Sequence, residues 1–185
     1  MLRVSSKVQT AVNKEIRERI RSRYPKGEKL RYQSPKEWVP NTAFANCYNG
    51  GGESVGYHSD QLTYLGPRAV IGSLSLGVAR EFRVRKVVAR GYEADTGEGE
   101  ENERRKDNKD KKDILRADAE GQISIHLPHN SLLVMHAEMQ EEWKHSIHPS
   151  QAIEPHPVAG NKRINITYRC YRDSFHPKYT HSYDN

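Results

Sequence analysis

The pattern of apolar and polar positions divides the chain into one helical segment followed by a series of short β-type runs. In SSKVQTAVNKEIRERIRSRY, residues 5–24, Val8, Val12, Ile16 and Ile20 recur every four residues beside Ala11. That period puts one apolar stripe on a helix. Ser5 or Ser6 is the expected N-cap, and Pro25 and Gly27 end the helix. KLRYQSPKEWVP is an irregular connector broken by Pro35 and Pro40. TAFANCY reads as a strand, and the turn-rich NGGGESVG then leads to His58. AVIGSLSLG and REFRVRKVV are β-rich runs broken near Gly77, with Phe82, Val84 and then Val87 or Val88 alternating in the second.

Strand patterns resume at QISIHL and SLLVMHA. EMQEEWKHSI reads as one helical turn running into a strand, NKRINITYRCY as a final strand, and residues 173–185 as a polar tail. The stretch between the two groups of strands, residues 91–120, has almost no apolar side chains. Too little burial is available there to offset the entropy of ordering, so it is expected to be a mobile polar insertion. Many short strands, one N-terminal helix and no βαβ alternation predict a mainly β fold, an antiparallel sandwich or barrel with a flanking helix.

Length and composition narrow this picture. The 185 residues suit one domain, 1–185, with a core that needs no disulfides. No apolar run approaches 18 residues and no signal-peptide pattern opens the chain, so neither membrane span nor secretion is expected. Cys47 and Cys170 have no metal-type spacing, and an intracellular location, nuclear or cytoplasmic, fits two unpaired thiols. The net charge of +6 is uneven: residues 1–40 hold 11 Lys/Arg against 4 Asp/Glu, while residues 91–120 hold 7 against 11. A basic helix and connector suit either a polyanionic partner such as nucleic acid or a solvated surface.

The candidate chemistry begins with YHSDQLTYL, residues 57–65. Were this a strand, His58 and Asp60 would point to one face. Alone, the triplet leaves open an ion pair, a solvated loop, or two thirds of a metal site. His145, in EEWKHSI, enters a strand far along the chain. Two histidines and a carboxylate can bind non-haem Fe(II) on one face and leave positions open for dioxygen and a co-substrate. In RINITYR, residues 163–169, Arg163, Asn165, Thr167 and Arg169 share one strand face, and Ile164, Ile166 and Tyr168 the other. Two arginines on such a strand call for anionic partners, which a small dicarboxylate would supply; an edge strand with arginines in water is the alternative. Asn46 and Tyr48 alternate onto one face upstream and can add neutral hydrogen bonds.

In order and spacing, N-x-Y, H-x-D, the SLSLG and SLLVM strands, W-x-H and R-x-N-x-T-x-R resemble the AlkB family of Fe(II)/2-oxoglutarate-dependent dioxygenases. The resemblance runs from about Asn46 to Arg169. It implies a double-stranded β-helix, or jelly roll. It implies iron ligation by His58, Asp60 and His145, and 2-oxoglutarate contacts from Asn46, Tyr48, Arg163, Asn165 and Arg169. It also implies decarboxylation of 2-oxoglutarate to succinate, with dioxygen consumed, coupled to hydroxylation of a C–H bond. On an N-methyl group in alkylated DNA or RNA, the net result is demethylation with loss of formaldehyde.

Two departures bear on the substrate. Nucleic-acid repair members usually carry an acidic residue one or two positions after the iron-binding Asp, where Gln61 and Leu62 stand here. Members also carry strands and a substrate-gripping lid ahead of the helix with which this chain opens. Tyr57, Tyr64, Tyr32 and Trp38 are then the candidates to replace a base-stacking aromatic. The departures keep two alternatives open: the same oxidation on a protein or small molecule, and a catalytically weak interaction module. A monomer is expected.

Overall fold

A computed structural model describes residues 2–26, 34, 36–87 and 122–172 of the chain. The predicted insertion, the polar tail and Tyr32 lie outside the described residues. Helix α1 spans Leu2–Arg23. The strands are β1 (Thr42–Asn49), β2 (Val55–His58), β3 (Ile71–Gly77), β4 (Arg80–Lys86), β5 (Ile123–Leu127), β6 (Ser131–Met135), β7 (Trp143–Ile147) and β8 (Lys162–Arg169). Two one-turn helices, α2 (Leu62–Leu65) and α3 (Glu138–Glu141), sit between strands. The strands form two four-stranded sheets, ordered β1-β8-β3-β6 and β2-β7-β4-β5, and every pairing is antiparallel. This is the jelly-roll arrangement: apart from the β4–β5 pair, consecutive strands jump between sheets, and the apolar faces close on one interior.

Strand parity builds that interior. Ile71, Phe82, Val84, Leu127, Met135 and Ile147 face inward and form the core, with Tyr48 among them. The outer face of the first sheet, with Leu74 and Tyr168, is covered by Val8 and Val12 of α1 and by Trp38. Gly72 permits this close approach, since a Cβ there would lie 3.1 Å from Val12 and 3.3 Å from Val8. Asn13 ties the connector to the helix: its amide donates to the Trp38 carbonyl at 2.8 Å and its Oδ1 accepts the Trp38 N–H at 2.9 Å.

Several sequence expectations are corrected. Ser5 and Ser6 do not cap α1, which starts at Leu2; the Ser6 hydroxyl instead bonds back to the Arg3 carbonyl within the helix. β2 ends at His58, so Asp60 lies in the turn beyond it rather than on a shared strand face. The basic side chains Arg3, Lys7, Lys14, Arg17 and Arg21 are exposed on the side of α1 away from the sheet. This charge is therefore separated from the interior by the whole first sheet. No helix among the described residues is long and apolar enough to cross a membrane.

Candidate active site

The interior is polar at one end. On β8, Arg163, Asn165 and Thr167 point inward and are buried, opposite Tyr48, Asn46 and Phe44 of β1. Arg163 is 1% exposed. Its Nη2 donates to the Ser75 hydroxyl at 3.0 Å, while Nε and Nη1 are buried with no hydrogen-bond partner. Its guanidinium carbon lies 5.3 Å from the centre of the Tyr48 ring. Burial pulls the Arg163 pKa below its ordinary value, offset in part by Tyr48, with Arg80 adding repulsion. A buried cation with two unfilled donors is costly unless an anion completes it, and a carboxylate presents the matching fork.

Asn165 is already committed. Its amide donates to the Ser73 hydroxyl at 2.7 Å and to the Leu74 carbonyl at 3.2 Å, and its Oδ1 accepts from Thr167. It therefore braces β8 against β3.

His58 and His145 form a cross-strand pair between β2 and β7, with ring centroids 4.4 Å apart. A bulge in β2 between Val55 and His58 sets the aim of His58. The Nδ1 of His58 lies 2.8 Å from the Gly56 carbonyl. A carbonyl can only accept, so Nδ1 is the donor in this contact and Nε2 is the ring nitrogen left for a metal. His145 is 6% exposed, and its Nδ1 has no hydrogen-bond partner. Burial, reinforced by His58, pushes its pKa down to about 4, so the ring is neutral. Two imidazoles paired across neighbouring strands have the donor chemistry of a metal pair.

Asp60 is held beside them from three directions. Its N–H donates to Gln140 Oε1 at 2.7 Å, and the neighbouring Ser59 hydroxyl donates to the Trp143 carbonyl at 2.9 Å. Its carboxylate accepts from Arg169 Nε at 3.1 Å and Nη2 at 3.0 Å. Among the described residues, no three His, Cys, Asp or Glu side chains converge closely enough to hold a metal ion as they stand. Each Asp60 oxygen that accepts from Arg169 keeps a second lone pair, so the pair with Arg169 orients the carboxylate without using up its capacity to bind a metal. The donor set, two imidazoles and one carboxylate, fits Fe(II).

Above Asp60 opens a cleft of about 240 Å³, lined by Phe44, Gln61, Tyr64, Arg169 and Tyr171. Of the three candidate stacking aromatics among the described residues, Tyr57, Tyr64 and Trp38, only Tyr64 lines it. Tyr57 lies on the outer face of the second sheet beneath the Arg85 guanidinium, 4.2 Å from the ring centre, and its hydroxyl donates to Gln122. Trp38 is buried behind the first sheet, its indole N–H on the Val70 carbonyl. Sequence reading missed Phe44, Tyr171, Gln140 and Arg80. Phe44 was within reach, because it sits two residues before Asn46 and so shares its face. Arg80, 2% exposed, bonds the carbonyls of Gly50, Glu53 and His148 and pins the loops around the polar end; no sequence pattern announces it.

Comparison with known proteins agrees with this architecture. The family profile described as the 2OG-Fe(II) oxygenase superfamily matches residues 3–169. The chain is 33% identical over 133 residues to the DNA oxidative demethylase ALKBH2 of Arabidopsis thaliana, covering 70% of this chain and 37% of that protein. It is 29% identical over 129 residues to the human alpha-ketoglutarate-dependent dioxygenase alkB homolog 3, covering 70% of this chain and 36% of that one. The chain thus spans a little over a third of the length of these relatives. The solved structure of OsALKBH1 shares the fold, with a TM-score of 0.55 and 17% identity over 91% of this chain and 63% of that one.

Proposed function

The chain belongs to the 2OG-Fe(II) oxygenase superfamily, and from that membership we propose that it oxidatively demethylates N-alkylated bases in DNA or RNA. Fe(II), held by His58, Asp60 and His145, would supply a redox centre with open positions for 2-oxoglutarate and dioxygen.

The observation that carries the reading is Arg163. It is a fully buried guanidinium with two unfilled donor nitrogens, on the same interior that holds the paired imidazoles of His58 and His145. The far carboxylate of 2-oxoglutarate would satisfy both donors. Tyr48, against the same guanidinium, and Asn46, whose side chain makes no hydrogen bond among the described residues, flank the space such an acid would fill. Asn165 supports this wall from behind rather than offering free donors. Arg169 positions Asp60. The exposed cleft over Asp60 gives the methyl group its approach, and a base reaches it only when flipped or single-stranded. Cys47 and Cys170, both exposed and in no disulfide, suit a reducing intracellular compartment. We take the acting species to be a monomer.

The test is incubation with Fe(II), 2-oxoglutarate and a panel of methylated single-stranded oligonucleotides, reading succinate and formaldehyde by NMR. Equal yields of the two, with loss of the methyl mass from the oligonucleotide, are expected. Succinate without demethylation of any oligonucleotide would move the substrate to a protein or small molecule. No consumption of 2-oxoglutarate under any condition would overturn the oxidation itself.

A further inference from the structure

We propose that the cleft over Asp60 selects a neutral, planar N-methylated base over a cationic one, with Phe44 as its stacking face and Gln61 as its hydrogen-bonding reader. This rests on the demethylase reading above and goes further by naming the charge class of the base.

Phe44 supplies the first observation. It lies on the inward face of β1, opposite the buried Thr167, yet it is 56% exposed because the cleft opens over it. Single exposed apolar side chains on a convex surface are ordinary. An exposed phenyl ring on a concave wall, next to the residue that would hold the metal, offers a planar partner an apolar face to cover. Tyr64 and Tyr171, with ring centroids 6.0 Å apart and planes at 30°, line the same cleft. The walls therefore suit a flat ring.

The second observation is charge. Among the described residues that line the cleft, the ionised groups are Asp60 and Arg169, and they pair with each other through two hydrogen bonds. Among these described lining residues there is no second carboxylate to meet a positively charged ring. A base carrying a formal charge, such as 1-methyladenine, would leave water with only aromatic faces for compensation. Those recover part of the loss through cation–π attraction, but less than a charge-assisted hydrogen bond does.

The third is Gln61. It is exposed at the cleft rim, and its carboxamide makes no hydrogen bond among the described residues. Its backbone is fixed: the Gln61 carbonyl accepts the N–H groups of Tyr64 and Leu65 at the start of α2. A carboxamide offers both a donor and an acceptor. It therefore matches the carbonyl that flanks the N-methyl group of a neutral base such as 3-methylthymine, where a carboxylate would be repelled.

The experiment measures fluorescence anisotropy of metal-free protein with labelled single-stranded oligonucleotides, each carrying one 3-methylthymine, one 1-methyladenine or no methylation. Binding ranks the bases without any turnover. Wild type is expected to hold 3-methylthymine about tenfold tighter than 1-methyladenine. Gln61→Glu should reverse that ranking, and Phe44→Ala should weaken both methylated oligonucleotides roughly tenfold. Thermal melts check that the variants are folded. Equal or inverted ranking in wild type, or an unchanged ranking in Gln61→Glu, would overturn the selection. If the ranking holds but no oligonucleotide yields succinate, the oxidation reading falls and the selection stands.

Discussion

Arg169 holds Asp60 by both carboxylate oxygens, at 3.1 and 3.0 Å, across 109 residues of sequence. The pair joins the last strand of the first sheet to the turn that leaves the second. It fixes where the one carboxylate of the candidate metal set can point. A partner that orients a ligand typically contributes ten- to hundredfold in metal affinity. Arg169→Ala is therefore expected to weaken Fe(II) binding by roughly that factor, with Arg169→Lys recovering part, because an ammonium cannot reproduce the planar fork. Anaerobic Fe(II) titration checks this, and an unchanged affinity in Arg169→Ala would contradict it.

Arg163 has a different task, since it is buried away from the carboxylate and lacks partners for two donors. A charge-assisted pair contributes on the order of 1.5–3 kcal/mol. Arg163→Ala should raise the apparent 2-oxoglutarate constant roughly ten- to hundredfold, while Fe(II) binding is kept. The exposed Arg21 on α1 serves as control. Identical 2-oxoglutarate titrations for Arg163→Ala and Arg21→Ala would remove the co-substrate assignment.

His136 gives the fold an acid sensitivity. Burial, with repulsion from Arg19 opposed by Glu138, pushes its pKa from 6.5 down to about 4, and its Nε2 is buried without a partner. The folded state keeps the ring neutral, while the unfolded chain gains a proton as pH falls below the ordinary value. The contribution is therefore present above pH 6.5 and is lost between pH 6.5 and about 4. The loss is at most about 1.4 kcal/mol per pH unit for one group. Melting curves from pH 7 to pH 5 should fall less steeply for His136→Leu than for wild type.

The packing of α1 on the sheet is tested by Val12, which has no exposed surface and lies over Gly72. Val12→Ala removes two methyl-sized groups and leaves a partial cavity, costing about 2 kcal/mol. That corresponds to roughly 4–8 °C in Tm. The active interior is on the other face of the sheet, so succinate yield per folded molecule should not change.

Much of this was legible in the chain. The four-residue period of Val8, Val12, Ile16 and Ile20 marked the helix because an amphipathic stripe leaves a regular trace. The alternation from Arg163 to Arg169 marked an inward polar face because strand parity is strict. Asp60 was harder. Whether it follows His58 on a strand or enters a turn depends on Gln140 and Trp143, which lie 80 and 84 residues from their partners Asp60 and Ser59. The commitment of Asn165 to Ser73 was likewise invisible, since cross-strand register sets it. Tyr57 and Tyr64 looked equivalent in sequence. The bulge in β2 and the turn of α2 send one outside and the other into the cleft.

The central claim is that His58, Asp60 and His145 together bind one catalytic metal. Anaerobic Fe(II) titration of wild type and of His58→Ala, Asp60→Ala and His145→Ala tests it most directly. The account predicts one Fe(II) per wild-type chain, with loss of tight binding in each variant while Arg163→Ala retains it. A variant of any of the three that binds Fe(II) as tightly as wild type would contradict the assignment.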